Sequence, residues 1–255
     1  MERNILLTIE YDGTNFSGWQ RQPSVRTVQG TLEEALSRVC RVPIQIHGTS
    51  RTDAGVHALG QRASFKGDFG IPTDRLKPAL NNMLDGGMNK RTKGSDVRVV
   101  DVQEMPENFH ARFDSKGKKY RYVIDCSEDV NIFRRNYCYH VKSGLDTDAM
   151  RKGAEHIVGT HDFACFQAAG GNLRETTVRT VNSLEIIEEG KELHVEISGD
   201  GFLYNMVRII VGTLVEIGQG KMQPDSVKDI IESCDRQKAG HTAPAEGLYL
   251  VEIYY

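Results

Sequence analysis

The chain has 255 residues, 39% hydrophobic and 26% charged, with a formal net charge of −3. This is ordinary globular composition at a length that suits two domains or two fused halves. No apolar run is long enough to span a bilayer. The N-terminal MERNILLTIEYDG lacks a signal-peptide layout. Five single cysteines without a CxxC spacing point to the reducing cytoplasm rather than to a disulfide or zinc framework.

In chain order, Arg3–Tyr11 alternates Ile5, Leu7 and Ile9 with polar neighbours and predicts a strand. DGTNFSGWQRQPSVRTVQG follows, punctuated by glycine and proline. It holds the only tryptophan, Trp19, expected as a core or rim anchor, with Arg21 and Arg26 beside it as candidate RNA contacts. Thr27–Arg41 predicts an amphipathic helix with Val28, Leu32, Ala35, Leu36 and Val39 on one face. A short strand near Ile44–His47, a loop, and a strand over Gln61–Lys66 come next. Thr73–Met83 predicts a helix whose start is irregular or late because of Pro78, and Val97–Gln103 predicts a strand.

The second half repeats that order. Lys118–Asp125 predicts a strand and Asp146–Val158 a helix stopped by Gly159. Val178–Glu188 and Leu193–Gly199 predict a hairpin around EEGKE. Phe202–Gly218 is apolar almost all round, the pattern of a buried helix; Pro224–Cys234 predicts an added helix and Leu248–Tyr255 the last strand. The expected fold is therefore α/β (α+β): two ferredoxin-like β-α-β-β-α-β halves, residues 1–105 and 106–255, in a mixed, largely antiparallel sheet with a central cleft.

Two stretches invite chemistry. GTSRTDAGVHALGQ (Gly48–Gln61) holds a single carboxylate, Asp53, two residues after Arg51 and followed by Ala54 and Gly55, so nothing bulky shields it. Small-residue loops on a rigid scaffold are common sites of function, although a surface ion pair would look much the same. HARFDSKGKKYRY (His110–Tyr122) places Arg112, Lys116, Lys118, Lys119 and Arg121 among aromatics against Asp114 alone. That suits an RNA backbone and its bases, or simply a solvated basic strand. The eight histidines have no HExxH or short paired spacing, so no metal is expected.

Together these residues make the chain resemble the tRNA pseudouridine synthase A family. YDGTNFSGWQRQ, RTDAGVHA, FHARFDSKGKKYRY, GFLYNMVRIIVG and TAPAEGLYL occur in the family's order, and Ser50 stands where the family often has glycine. The resemblance implies the pseudouridine synthase fold and isomerisation of uridine to pseudouridine on the 3′ side of the anticodon stem-loop of tRNA. It also implies a homodimer and no cofactor. By that likeness Asp53 is the catalytic aspartate, Tyr120 the active-site tyrosine, Arg208 a cationic partner, and Arg51 and His57 contacts to the nucleotide. At the level of the residues, His57 could equally brace its loop. A non-catalytic RNA-binding module is a rival that lacks the RNP1 pattern. A glycoside hydrolase would need a second carboxylate, for which Asp200 in SGDGF is the one tempting residue.

Overall fold

The computed structural model describes residues 2–86, 94–142, 144–170 and 176–255. The chain divides into two compact units, Met1–Lys116 with Leu250–Tyr255, and Gly117–Tyr249.

The first unit runs β1 (Arg3–Tyr11), α1 (Val28–Cys40), β2 (His47–Gly48), β3 (His57–Gly67), α2 (Thr73–Leu84) and β4 (Val97–Met105). Its strand order is β4-β1-β3, with β2 and the C-terminal strand β10 (Leu248–Tyr254) also beside β3. β1 is antiparallel to both β3 and β4, and β2 to β3, so fourth, first, third and second strands lie in ferredoxin-like order. Ile5, Leu7 and Ile9 are fully buried, as the alternation in β1 requires. Thr27 caps α1 by accepting the Gly30 N–H, and Leu32 and Leu36 face the core.

The boundaries differ from expectation in three informative places. β2 is only two residues long, whereas β3 begins at His57 rather than Gln61, so the glycine-rich loop is shorter than its composition suggests. Pro78 does not delay α2, which starts at Thr73 and carries the proline inside it. Pro78 and Asp74 are both exposed, so the carbonyl left without its N–H partner can turn to water. β4 shifts register against β1 between Thr8 and Ile9. Next to that shift, the Asn81 side chain hydrogen-bonds both backbone groups of Val99 at 2.9 Å, tying α2 to the strand.

The second unit holds β5 (Gly117–Asp125), β6 (Tyr139–His140), α3 (Thr147–Glu155), β7 (Gly159–Asp162), β8 (Val178–Glu189), β9 (Glu192–Gly199), α4 (Met206–Gly218) and α5 (Ser226–Ser233). The order is β5-β9-β8-β7, antiparallel throughout, with β6 parallel to β5. The expected hairpin is β8–β9. β6 and β7 were not expected; they are two and four residues long, too short for a periodic signal. Gly159 opens β7 instead of stopping α3, which ends four residues earlier. α4 starts at Met206 rather than Phe202, because Asn205 before it is left-handed at φ 59°. Eleven of its thirteen residues are buried, including Ile209, Ile210, Leu214 and Val215, as an all-round apolar helix demands. Among the described residues no helix is long and apolar enough to cross a membrane.

Candidate active site

The Asp53 loop is held by a second loop, residues 12–26, that the sequence places far from it. The indole of Trp19, only 1% exposed, lies against Gly48. A β-carbon on Gly48 would come within 2.4 Å of three indole atoms, so only glycine fits. The Trp19 N–H donates to the Thr52 carbonyl at 3.0 Å, and the Thr52 hydroxyl sits 2.7 Å from the Tyr11 hydroxyl. Gly18, at φ +85°, brings the backbone close enough that a β-carbon would meet Thr52 O at 2.8 Å. From the other side, buried Gln61 accepts the Ser50 N–H at 3.2 Å and donates to Ser50 O at 2.6 Å. Both bonds use the backbone of Ser50.

Within the loop, the Val56 N–H donates to Asp53 O at 3.2 Å while Gly55 takes φ +81°, the positive angle a type II turn needs at its third residue. Asp53 is thus the first residue of a tight turn, and it is half-buried. Arg51 is exposed. His57 is 2% exposed, and its Nδ1 accepts the Gly13 N–H at 3.0 Å with Asp12 Oδ1 3.3 Å away. Accepting that bond requires Nδ1 to carry no proton. These contacts make His57 a clasp between the two loops.

In the second unit, Tyr120 is 7% exposed in β5, its ring edge-on to Phe202 at 5.3 Å. Tyr122, two residues along, is fully buried and donates its hydroxyl proton to Pro244 O at 2.7 Å; burial pushes that phenol well above its ordinary pKa. Arg208 is half-buried in α4. Its Nε donates to Ala243 O at 2.7 Å and its Nη1 to Asn205 Oδ1 at 2.9 Å. Sequence reasoning did not foresee the roles of Asn205 and Ala243, although both lie inside the blocks GFLYNMVRIIVG and TAPAEGLYL.

The basic candidates have separate environments. Arg21 pairs with Glu33 at 2.9 Å; Arg26 pairs with Asp96 at 2.5 Å and lies over the Phe16 ring. Arg112 and Lys116 are exposed. Lys118 and Lys119 alternate along β5 and so point to opposite faces of the strand. Lys119 and Arg121 share one face, where both bind the Glu196 carboxylate of β9. Burial alone would raise the Glu196 pKa, but the hydrogen bonds from Lys119 and Arg121 outweigh it and hold the carboxyl below its ordinary range. With the folded value depressed, the stabilisation is complete above the unfolded-state pKa and is lost as pH falls through the folded one. Glu196→Gln should therefore cost roughly 1–2 kcal/mol at pH 7, a modest figure because both cations are about a third exposed. In urea titrations the difference from wild type should shrink below about pH 4; a pH-independent difference would mean that packing, not charge, is responsible.

Asp200 has a structural use, its Oδ1 accepting the Thr180 N–H at 3.0 Å. Asp53, by contrast, is a half-buried acid on a clasped small-residue turn.

The sequence pattern of the family described as tRNA pseudouridine synthase matches residues 7–114 and 154–255. The chain is 49% identical over 253 residues to a tRNA pseudouridine synthase A of Acetivibrio thermocellus, covering 99% of this chain and all of that protein. It is 47% identical over 254 residues to the protein of that name from Ruminiclostridium cellulolyticum, and 47% over 253 residues to that of Brevibacillus brevis, again covering 99% of this chain and all of each relative. The chain belongs to the tRNA pseudouridine synthase family, a family of isomerases, which sets aside the reading as a non-catalytic RNA-binding module.

Proposed function

We propose that this chain converts uridine to pseudouridine in the 3′ side of the anticodon stem-loop of tRNA, with Asp53 as its catalytic residue. The observation that carries the reading is the half-buried Asp53 carboxylate on a turn whose neighbours, Thr52 and His57, are both clasped by the 12–26 loop. The reaction breaks the N1–C1′ bond, turns the uracil over and forms C5–C1′; the C5 proton leaves and N1 gains one. An ionised carboxylate serves as nucleophile toward either C1′ or C6, dividing a hard step into two.

Tyr120 is assigned to stacking on the uracil and to removing the C5 proton. Its ring is held by Phe202 in a strand, so its position is preorganised. Arg208 is assigned a fixed cationic role, since Asn205 and Ala243 hold its guanidinium in one orientation. Exposed Arg51 suits the task of extruding the nucleotide, which costs a few kcal/mol of lost stacking. His57 is assigned to bracing the loop. Arg21, Arg26, Arg112, Lys116 and Lys118 remain proposed phosphate contacts. Lys119 is a sixth; like Arg21 and Arg26 it is already paired with a carboxylate, and it is the least exposed of those three. A homodimer in the cytoplasm without a cofactor follows from the family resemblance, and the five cysteines, all free, suit a reducing compartment.

The test is tritium release from tRNA carrying 5-³H-uridine: the wild-type protein should release label, and no release would end this reading. Tyr120→Phe keeps the ring and removes the hydroxyl. It should slow turnover by about 100-fold or more while changing tRNA affinity little, as expected for a proton-transfer group. Near-normal turnover would make Tyr120 a packing residue.

A further inference from the structure

A row of rings leads out of the first unit at its most exposed aromatic residue. His47 and His110 have centroids 5.0 Å apart, and His110 and Phe113 4.4 Å apart, each pair inclined by 35°. Phe113 at the end of the row is 75% exposed, and the Arg112 guanidinium lies 5.8 Å from its centroid. A single exposed phenylalanine is unremarkable. This one, however, stands on a turn fixed at many points. The Asn4 side chain donates to Pro106 O and Phe109 O at 2.8 Å, the Ala111 N–H donates to Ser64 Oγ, and Ala111 O accepts from both Thr49 and Tyr255. The Phe113 and Asp114 N–H groups close the turn on His110 O. The ring is therefore held out into solvent by a rigid support, with no contact among these bonds that requires a phenyl group.

We propose that Phe113, backed by His110 and His47, is a stacking platform for one unpaired base of the RNA substrate, and that Arg112 takes an adjoining phosphate. The proposal rests on the reading of this chain as a tRNA-modifying enzyme. Three observations favour a base over an apolar protein partner. The row joins a phenyl ring to two imidazoles, ring types on which unpaired bases stack. A guanidinium flanks the ring, whereas the one carboxylate in the turn, Asp114, is occupied by the His110 N–H at 2.7 Å. The turn is also hydrogen-bonded to Thr49, four residues before Asp53, so a base seated there lies along the strand that enters the catalytic loop. Extruding one nucleotide unstacks its neighbours, and a rigid ring gives such a neighbour a surface to stack on. Base–aromatic stacking tolerates any base, so the platform contributes affinity rather than sequence choice.

Fluorescence anisotropy of labelled tRNA with Phe113→Ala, Phe113→Trp and Arg112→Ala tests this. Phe113→Ala should bind about tenfold more weakly, with the wild-type slope of log affinity against log salt and an unchanged unfolding midpoint. Phe113→Trp should bind within about twofold of wild type, since the larger ring also stacks. Arg112→Ala should reduce the salt slope by about one phosphate contact. Wild-type affinity in Phe113→Ala, or loss in Phe113→Trp equal to that in Phe113→Ala, overturns the platform. So does a smaller sedimenting species for Phe113→Ala, which would mean that a second copy covers the ring. Tritium release by the wild type keeps the two readings apart: an active wild type with an indifferent Phe113 refutes only the platform.

Discussion

Asp53→Asn should lower the rate of tritium release from tRNA by more than about a thousandfold, the scale on which loss of one essential catalytic group is felt. The substitution keeps the size and shape of the side chain and removes its charge and nucleophilicity. The turn should survive, because the bond that closes it runs between the Val56 N–H and the Asp53 carbonyl and does not involve the carboxylate. The clasp around it should survive too, since its bonds run from Trp19 and Tyr11 to Thr52 and from Gly13 to His57. Turnover should therefore collapse while tRNA affinity and the urea midpoint stay close to wild type. Appreciable release of label by the pure variant would remove Asp53 from the mechanism, and an equally large loss of stability would show that the carboxylate is structural.

Trp19→Ala should cost about 3–5 kcal/mol of unfolding free energy, the range for truncating a large buried aromatic side chain. The indole is 1% exposed and occupies the space that the absent β-carbon of Gly48 leaves open. Its ring also lies 6.1 Å from that of Tyr11, while its backbone joins two further parts of the unit, the N–H donating to Thr52 O and the carbonyl accepting the Gln29 N–H of α1. The cavity would open beside the loop that carries Asp53, so turnover should fall with stability. Trp19→Phe should lose less of both. Because Trp19 is the only tryptophan, unfolding is best followed by circular dichroism rather than by intrinsic fluorescence. A loss below about 1 kcal/mol would mean that the site collapses around the missing ring.

Much of this architecture is legible without coordinates, for a physical reason. Residues that alternate at period two or recur at 3.6 report which face of an element is buried, so β1, α1, β5, the β8–β9 hairpin and α4 could be placed from their own residues. Errors fell where the local signal is short or ambiguous. β6 and β7 contain too few residues to show a period. Pro78 normally marks a helix boundary, but it is tolerated inside α2 on the solvent side. Asn205 takes a left-handed angle that its sequence context does not announce, and it moves the start of α4 by four residues.

The site divides in the same way. That the chain belongs with uridine isomerases and that Trp19 is an anchor both follow from residue types and their order, which the sequence by itself determines. What Trp19 anchors, why residue 48 has to be glycine, why His57 is a clasp and how Arg208 is oriented were decided only by the tertiary structure. The run Lys116–Arg121 shows the difference most clearly. In one dimension it is a single basic patch. On the strand, pleating sends Lys118 and Lys119 to opposite faces, and Glu196, 77 residues from Lys119, claims the charges on one of them. Periodicity fixes the face on which a side chain emerges. The partner it meets there is set by pairings between distant segments, and a local pattern carries no record of those.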